Sequence, residues 1–402
     1  MSIMAGPFDL NLRHLRALGA IAECGNISGA AQIAGLSQPA LTQGLAKLET
    51  QFGAALFDRR PQGMEPTAPG KRVLARVNRA MTRFTRAVRA GARGGRTARP
   101  EHRLTSAQVR AMLSLAEAGS FVAAAQSVGL SEPALHRAVK ELEQLCGTDF
   151  VERRGRGVGL TAAGHRIVRE LTLAVSELSA ALEETAEEGG RLAIGAMALS
   201  RSLLLPATLA AFSQKAPAAH VDVIEGSYLE LAEFLRNGTL DVIIGALRVN
   251  PPRDLHEEPL FTDRLTVIGR AGHPLARRHA GYHDLTRYPW IVARRASGLL
   301  DRWQQLFDEA GMPRPTAPIQ CGSVALIRGM LVRSDFLTLL SPDQVRAEID
   351  AGQLIEIRSD APDTARTIGA ITRRDWYPTT LERLFLDELR AVAKARSIPE
   401  NE

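Results

Sequence analysis

The chain has 402 residues, enough for two to four domains with buried cores of their own. Its 45% hydrophobic and 23% charged content is that of a soluble globular protein, and no run approaches the roughly 18 apolar residues that span a bilayer, so no membrane-spanning helix is expected. The net charge of +6 is unevenly spread: residues 1–103 hold 16 Lys/Arg against 6 Asp/Glu, a net of +10, and leave −4 for the rest, which points to a polyanion partner at one end only.

Along the chain, Leu15, Leu18, Ile21 and Ala22 recur at helical spacing and stop at Gly25. Asn26 or Ser28 caps a second helix through Ala34, and Gly35-Leu36 turns the chain. Ser37 caps a third helix to about Phe52, with Pro39 tolerated in its first turn. Ala30 and Ala31 let the second and third helices approach closely, as a helix-turn-helix requires. Phe57–Thr67, rich in Gly and Pro, fits a two-stranded wing. The same series then repeats without gaps at an offset of 94 positions, where about 24 of the 64 pairs between residues 12–75 and 106–169 are identical. Leu36-Ser37-Gln38-Pro39-Ala40-Leu41 falls on Leu130-Ser131-Glu132-Pro133-Ala134-Leu135, and Leu48-Glu49, Arg59-Arg60 and Thr67-Ala68 with Gly70 find identical partners. One domain is therefore present twice, over residues 10–70 and 104–164.

The series Gly119-Ser120-Phe121, Ala124-Ala125, Pro133-Ala134-Leu135, Leu142-Glu143, Phe150-Val151-Glu152-Arg153 and Leu160-Thr161 with Gly164 resembles the N-terminal winged helix-turn-helix of LysR-type regulators. The first copy resembles it nearly as well, and the duplication departs from the usual single unit. Since the third helix of such a unit enters the major groove, Ser37, Gln38, Thr42, Gln43 and Lys47 are the expected DNA contacts of the first copy. Ser131, Glu132, His136, Arg137 and Lys140 are those of the second. Gln suits adenine, Arg guanine, and Glu accepts from cytosine N4. Arg59, Arg60, Arg153 and Arg154 on the wings are placed for phosphate or minor groove. Gly44 inside one recognition helix and the negative Glu132 at the start of the other make the copies unequal.

After the first unit, over 71–103, Val73, Val77, Ala80, Phe84 and Val88 form an apolar stripe beside Arg72, Arg76, Arg79, Arg83 and Arg86. That arginine ridge has two roles open to it: lying along a phosphate backbone, or pairing with Glu177, Glu183, Glu184, Glu187 and Glu188 of the helix after the second unit. Gly91 to Pro100 reads as a flexible tether. In residues 165–188, Val168, Leu171, Val175, Leu178 and Leu182 make a coiled-coil seam, which the resemblance implies joins two chains as a dimer; the alternative is a helix packed on its own domain.

From Gly189 the pattern alternates short β-branched runs (192–194, 221–224, 242–246, 265–268) with helices, predicting an open, largely parallel sheet covered on both faces. Further strand candidates are 290–293, 319–321, 336–340, 354–357 and 367–372. Arg191-Leu192-Ala193-Ile194-Gly195, Leu235–Gly245 and Gly272-His273-Pro274-Leu275 resemble the LysR effector-binding domain. The fold class implied for the whole chain is α/β: two winged helix-turn-helix domains, then a two-lobed domain over 189–402 like a periplasmic binding protein. Lobe one would take 191–262 and 352–395, and lobe two 263–351. Ligands in such folds sit at strand ends and helix N-termini, which selects Ser200, Arg201, Ser202, Ser227, Arg248, Ser297 and Ser323, the serines having helix capping as an equal alternative. With Arg294 and Arg295 nearby, an anionic effector such as a carboxylate is expected.

No phosphate loop or zinc-spaced histidine pair occurs, and no cofactor, metal or catalytic residue is expected. His273, His279 and His283 read as surface residues, and the widely spaced Cys24, Cys146 and Cys321 as small buried apolar ones. Met1–Leu10 lacks the features of a secretory signal, and a cytoplasmic, nucleoid-associated location is expected. The expected partners are double-stranded DNA, a small-molecule effector, further copies in a homodimer or homotetramer, and RNA polymerase. The rival reading is that only one helix-turn-helix unit reads DNA, the other binding a protein or its own sister unit; an enzyme with a DNA-binding appendage is a remote third.

Overall fold

The computed structural model describes residues 5–61, 63–91, 99–154, 157–185, 189–197, 200, 204–294, 298–362 and 364–397. Two compact units divide the chain, Met1–Gly190 and Arg191–Glu402, each with its own cores.

In the first unit, α1 (Leu12–Cys24), α2 (Ile27–Ala34) and α3 (Gln38–Phe52) precede the hairpin β1 (Phe57–Arg60) and β2 (Gly63–Pro66) and the long α4 (Ala68–Gly91). The second copy repeats them as α5 (Ser106–Ala118), α6 (Phe121–Val128), α7 (Glu132–Cys146), β3 (Val151–Arg154), β4 (Gly157–Leu160) and α8 (Ala162–Glu183). Local chemistry sets these boundaries. Asn26 Oδ1 accepts the Gly29 N–H at 2.7 Å, and Ser37 and Ser131 cap α3 and α7 through Ala40 N–H and Ala134 N–H. Gly25, Gly35 and Gly53, with Gly119, Gly129 and Gly147, end the helices in the left-handed region.

Each wing is fixed to its helices in the same way twice. Glu49 accepts the N–H groups of Leu56 and Phe57, and Glu143 those of Phe150 and Val151. Met64 N–H donates to the Gly25 carbonyl and Val158 N–H to that of Gly119. Gly63 is forced by this contact, since its φ is 134° and a Cβ there would stand 2.6 Å from the Gly25 oxygen.

The two copies share one hydrophobic core, because α4 and α8 pack against each other. Val73, Val77, Ala80, Phe84 and Val88 are fully buried against Ile167, Leu171, Ala174 and Leu178. Each large side chain so covered contributes about 1.5–3 kcal/mol. The seam expected to join two chains is therefore closed within one: the apolar face of α8 is covered by α4. The tether falls largely on residues 92–98, outside the described residues.

The second unit contains β5 (Arg191–Ala196), α9 (Leu204–Lys215), β6 (His220–Glu225), α10 (Tyr228–Arg236), β7 (Val242–Ala246) and the long β8 (Leu255–Arg270). There follow α11 (Tyr282–Thr286), β9 (Trp290–Val292), α12 (Gly298–Glu309), β10 (Ile319–Gln320), α13 (Val324–Leu331), β11 (Leu337–Leu340), α14 (Arg346–Asp350), β12 (Leu354–Glu356), β13 (Thr364–Arg373) and α15 (Thr380–Ser397). The strand order is β10-β9-β11-β8-β13-β7-β5-β6, with β12 also on β8. Pairing is parallel in β6-β5-β7 and β10-β9-β11 but antiparallel at every pairing of β8 and β13, so the sheet is mixed rather than largely parallel.

Two lobes follow from this order. The first half of β8 pairs with β13, and its last residues with β11 and β12, so β8 and β13 connect the lobes. Leu354–Glu356, assigned above to lobe one, pairs with Ile268–Arg270, and Leu354 is buried with Ile268 and Ile291; it belongs to lobe two. Residues 255–264 were not foreseen as strand. Their pattern is polar, and the register shifts opposite Ile368 and Gly369, leaving Leu260 unpaired beside Pro259.

Candidate DNA interface and effector cleft

The recognition-helix candidates lie on open faces. Ser37, Gln38, Gln43 and Lys47 are exposed on or just before α3, as are Ser131, Glu132, His136, Arg137 and Lys140 on α7. Thr42 is half-buried and its hydroxyl donates to the Gln38 carbonyl at 2.9 Å. The His136 ring packs on Phe121 with centroids 4.9 Å apart, which fixes it beside a groove of about 670 Å³ between α7 and the second wing. Lys140 reaches Glu143 at 3.1 Å and Asp149 at 3.5 Å, so part of its charge is already balanced. On the wings, Arg59 and Arg153 are exposed, and Arg60 is exposed but bridged to Glu65 at 2.9 Å. The side chain of Arg154 lies outside the described residues.

Gly44 has a structural reason. A Cβ there would stand 2.8 Å from the His14 ring, so the glycine lets α3 pass close to α1. Burial first, then the charges of Lys47 and Arg13, hold the His14 pKa below its ordinary value.

The arginine ridge takes one of its two open roles. Arg76 contacts Glu177 at 3.1 Å and Glu184 at 3.3 Å, Arg79 contacts Glu177 at 2.8 Å, and Arg72 reaches Glu184. Arg83 and Arg86 both face Glu170. Arg76 and Arg83 are buried, which removes them from any phosphate backbone. Glu187 and Glu188 lie outside the described residues, and Glu170 was not among the acidic partners expected.

In the second unit the expected ligand contacts separate. Ser200 is buried and its hydroxyl donates to the Met197 carbonyl, so it shapes a turn. Ser227 closes a capping box with Glu230, whose carboxyl its hydrogen bonds hold below the usual range. Ser323 caps α13 through the Leu326 N–H. Arg201, Ser202 and Ser297 lie outside the described residues, as does Arg295. Arg248, exposed at the end of β7, lies 3.9 Å over the Tyr228 ring, and its N–H donates to Glu257 at 2.8 Å. Arg294 is exposed just after β9 in lobe two, and its charge adds the last and smallest of the contributions that lower the Glu230 pKa.

Other residues depart from the sequence reading. His273 is buried, not at the surface: Nδ1 accepts the Leu275 N–H at 3.0 Å, the ring lies 4.5 Å from that of Tyr288, and burial lowers its pKa. His279 is exposed against Asp360, and His283 is exposed. Only Cys146 is fully buried, which pushes its thiol up to about 12; Cys24 and Cys321 are partly exposed. Among the described residues no helix is long and apolar enough to cross a membrane.

Comparison with known proteins bears directly on this arrangement. A family model described as the LysR substrate binding domain matches residues 185–394. One described as the bacterial regulatory helix-turn-helix protein, lysR family, matches twice, at residues 12–71 and 106–165. The chain belongs to the LysR family of transcriptional regulators.

It is 32% identical over 371 residues to the HTH-type transcriptional regulator GalR of Pseudomonas putida, covering 90% of this chain and 92% of that protein. The match to PcaQ of Agrobacterium fabrum, 26% over 301 residues, uses 96% of that protein but 73% of this chain. In fold, a full-length OxyR variant from Pseudomonas aeruginosa aligns with a TM-score of 0.55 and 23% identity, over 71% of this chain and 97% of that one. GalR and PcaQ carry the names of transcriptional regulators, and this LysR-type chain is likewise a DNA-binding regulator with an effector-binding domain rather than an enzyme.

Several site residues were missed from sequence. Glu49 and Glu143 appeared only as identities in the repeat, although an acidic residue before each wing could have suggested an anchor for its N–H groups. Tyr228 and Glu257 flank Arg248 without any local signal. Asp263, buried where β8 passes between lobes, accepts from Ser341 Oγ at 2.6 Å and Arg366 Nε at 2.8 Å, uniting three segments that are distant in sequence.

Proposed function

We propose that this LysR-type regulator reads duplex DNA with both helix-turn-helix units and couples that reading to a small anionic effector held between the lobes. The observation that carries the first part is that α4 and α8 close their seam with the outer faces of α3 and α7 left exposed. Pairing with the sister unit therefore does not compete with groove entry, which removes the main ground for treating one unit as a protein-binding module. Ser37, Gln38, Thr42, Gln43 and Lys47, with Ser131, Glu132, His136, Arg137 and Lys140, are the proposed groove contacts. Arg59, Arg60, Arg153 and Arg154 are the proposed backbone contacts.

For the effector, exposed Arg248 and Arg294, each just after a strand of its lobe, favour a carboxylate or similar anion. Ser227 and Ser323 offer their helix N-termini rather than their committed hydroxyls. Further copies associate through the second unit, where the edge strand β6 and α10 expose Val223, Leu229 and Phe234. A homodimer or homotetramer acting on RNA polymerase in the cytoplasm is the working assembly.

The deciding experiment replaces Arg59 and Arg60 together with alanine in the full chain. Affinity for a selected duplex should drop, and the slope of log affinity against log salt should shallow by about one to two. Unchanged affinity and slope would leave the first unit without a DNA role.

A further inference from the structure

We infer that one chain by itself is a complete two-headed DNA reader, and that the element it reads is a pair of unlike half-sites. This rests on the proposal that both units contact DNA, and it adds what kind of DNA they contact together.

The first support is symmetry inside the chain. Glu177 stands at the position equivalent to Arg83 and Glu170 at that equivalent to Arg76, 94 residues apart in each case. Arg76 pairs with Glu177 and Arg83 with Glu170, so each contact is the two-fold image of the other. Ala80 and Ala174 are equivalent, and both are fully buried at the crossing. The turn Pro7–Asp9 touches α8 and its counterpart Pro100–Arg103 touches α4, and α4 meets α7 as α8 meets α3. Arg16 donates to the carbonyls of Glu101 and His102, while its equivalent Arg110 lies over Phe8. Reciprocal contacts of this kind define an isologous interface, here made between two halves of one chain. The two-fold relates α3 to α7 as the half-sites of an operator are related.

The second support is charge. Two α4 helices paired with each other would set arginine against arginine, and two α8 helices glutamate against glutamate. The seam therefore selects α4 with α8, and every head pair contains one of each unit. The third is that the two reading faces differ. Positions 38, 43 and 47 carry Gln38, Gln43 and Lys47, all exposed; their equivalents are Glu132, Arg137 and Glu141, also exposed. Amides and a carboxylate–guanidinium set suit different bases.

The test selects duplexes from a random-sequence pool with the full chain, then repeats the selection with Gln43→Ala and with Arg137→Ala. The expected product is a two-part element whose halves are not inverted copies; several chains on one DNA would repeat that unlike pair as a whole. Each variant should relax base preference in one half only, by about 5- to 150-fold at the affected position. Identical inverted halves, both variants acting on the same half, or preference lost with one variant alone would overturn the inference while leaving DNA reading intact. A pool not enriched above bulk DNA would defeat the proposed function, and this inference with it.

Discussion

His14 lies where α1 meets the recognition helix of the first unit, its ring against the space that Gly44 leaves empty. Its Nδ1 is buried without a hydrogen-bond partner, and its pKa is lowered by burial and by neighbouring cations. A histidine whose folded pKa is depressed favours the fold fully while neutral. Below the ordinary value near 6.5 the unfolded chain takes up the proton first, and stability is lost as pH falls toward the folded pKa. His102 and His273 shift the same way, also through burial. Stability should therefore fall between about pH 7 and pH 5, and His14→Gln should reduce that fall for the first unit, read as the change in urea midpoint between the two pH values. An equal acid loss in the variant would exclude His14 as a contributor. The glycine itself was visible in sequence as a weak point of a helix; the ring that requires it, 30 residues earlier, was not.

Among the elements, the helix-turn-helix copies were legible because their boundaries are written locally, in Asn26, Ser37 and Ser131 as caps and in the glycines that stop each helix. The seam was legible as an apolar stripe, and its partner only as one of two roles open to the arginine ridge. A three-and-four spacing says that a face will be covered, and the resemblance assigned the cover to another chain. What chose α4 was the charge beside the stripe: arginines on one helix, glutamates on the other. Of the effector serines, Ser227 and Ser323 each satisfy their own helix first, a commitment that a serine's position before a helix does not separate from ligand binding. Glu177→Gln follows from this level. It removes a charge facing Arg76, whose side chain is only 3% exposed, and Arg79. Breaking such a buried pair costs about 3–5 kcal/mol, less here by what Glu184 still supplies to Arg76. Urea unfolding of the first unit should show the loss, and an unaltered midpoint would mean that the apolar seam alone holds the copies together.

At the scale of the whole molecule, the two units have separate cores, and all three tryptophans, Trp290, Trp303 and Trp376, lie in the second. Calorimetry should show two transitions, with tryptophan fluorescence following one. Glu177→Gln should lower only the transition that fluorescence does not see. A matching carboxylate effector should raise only the fluorescent one, by about 2.7 kcal/mol at a hundred times its Kd, and Arg248→Ala should weaken that gain. A single cooperative transition in both signals would contradict this independence. The closed seam has a further consequence for a cell that holds many related regulators. Chains that complete a DNA-reading pair by borrowing a neighbour's helix exchange partners with their paralogues, and their heads thin out as expression drops. A chain that supplies both helices keeps its pair intact at any copy number and offers paralogues no open seam, so its target choice is inherited through one gene rather than negotiated among several.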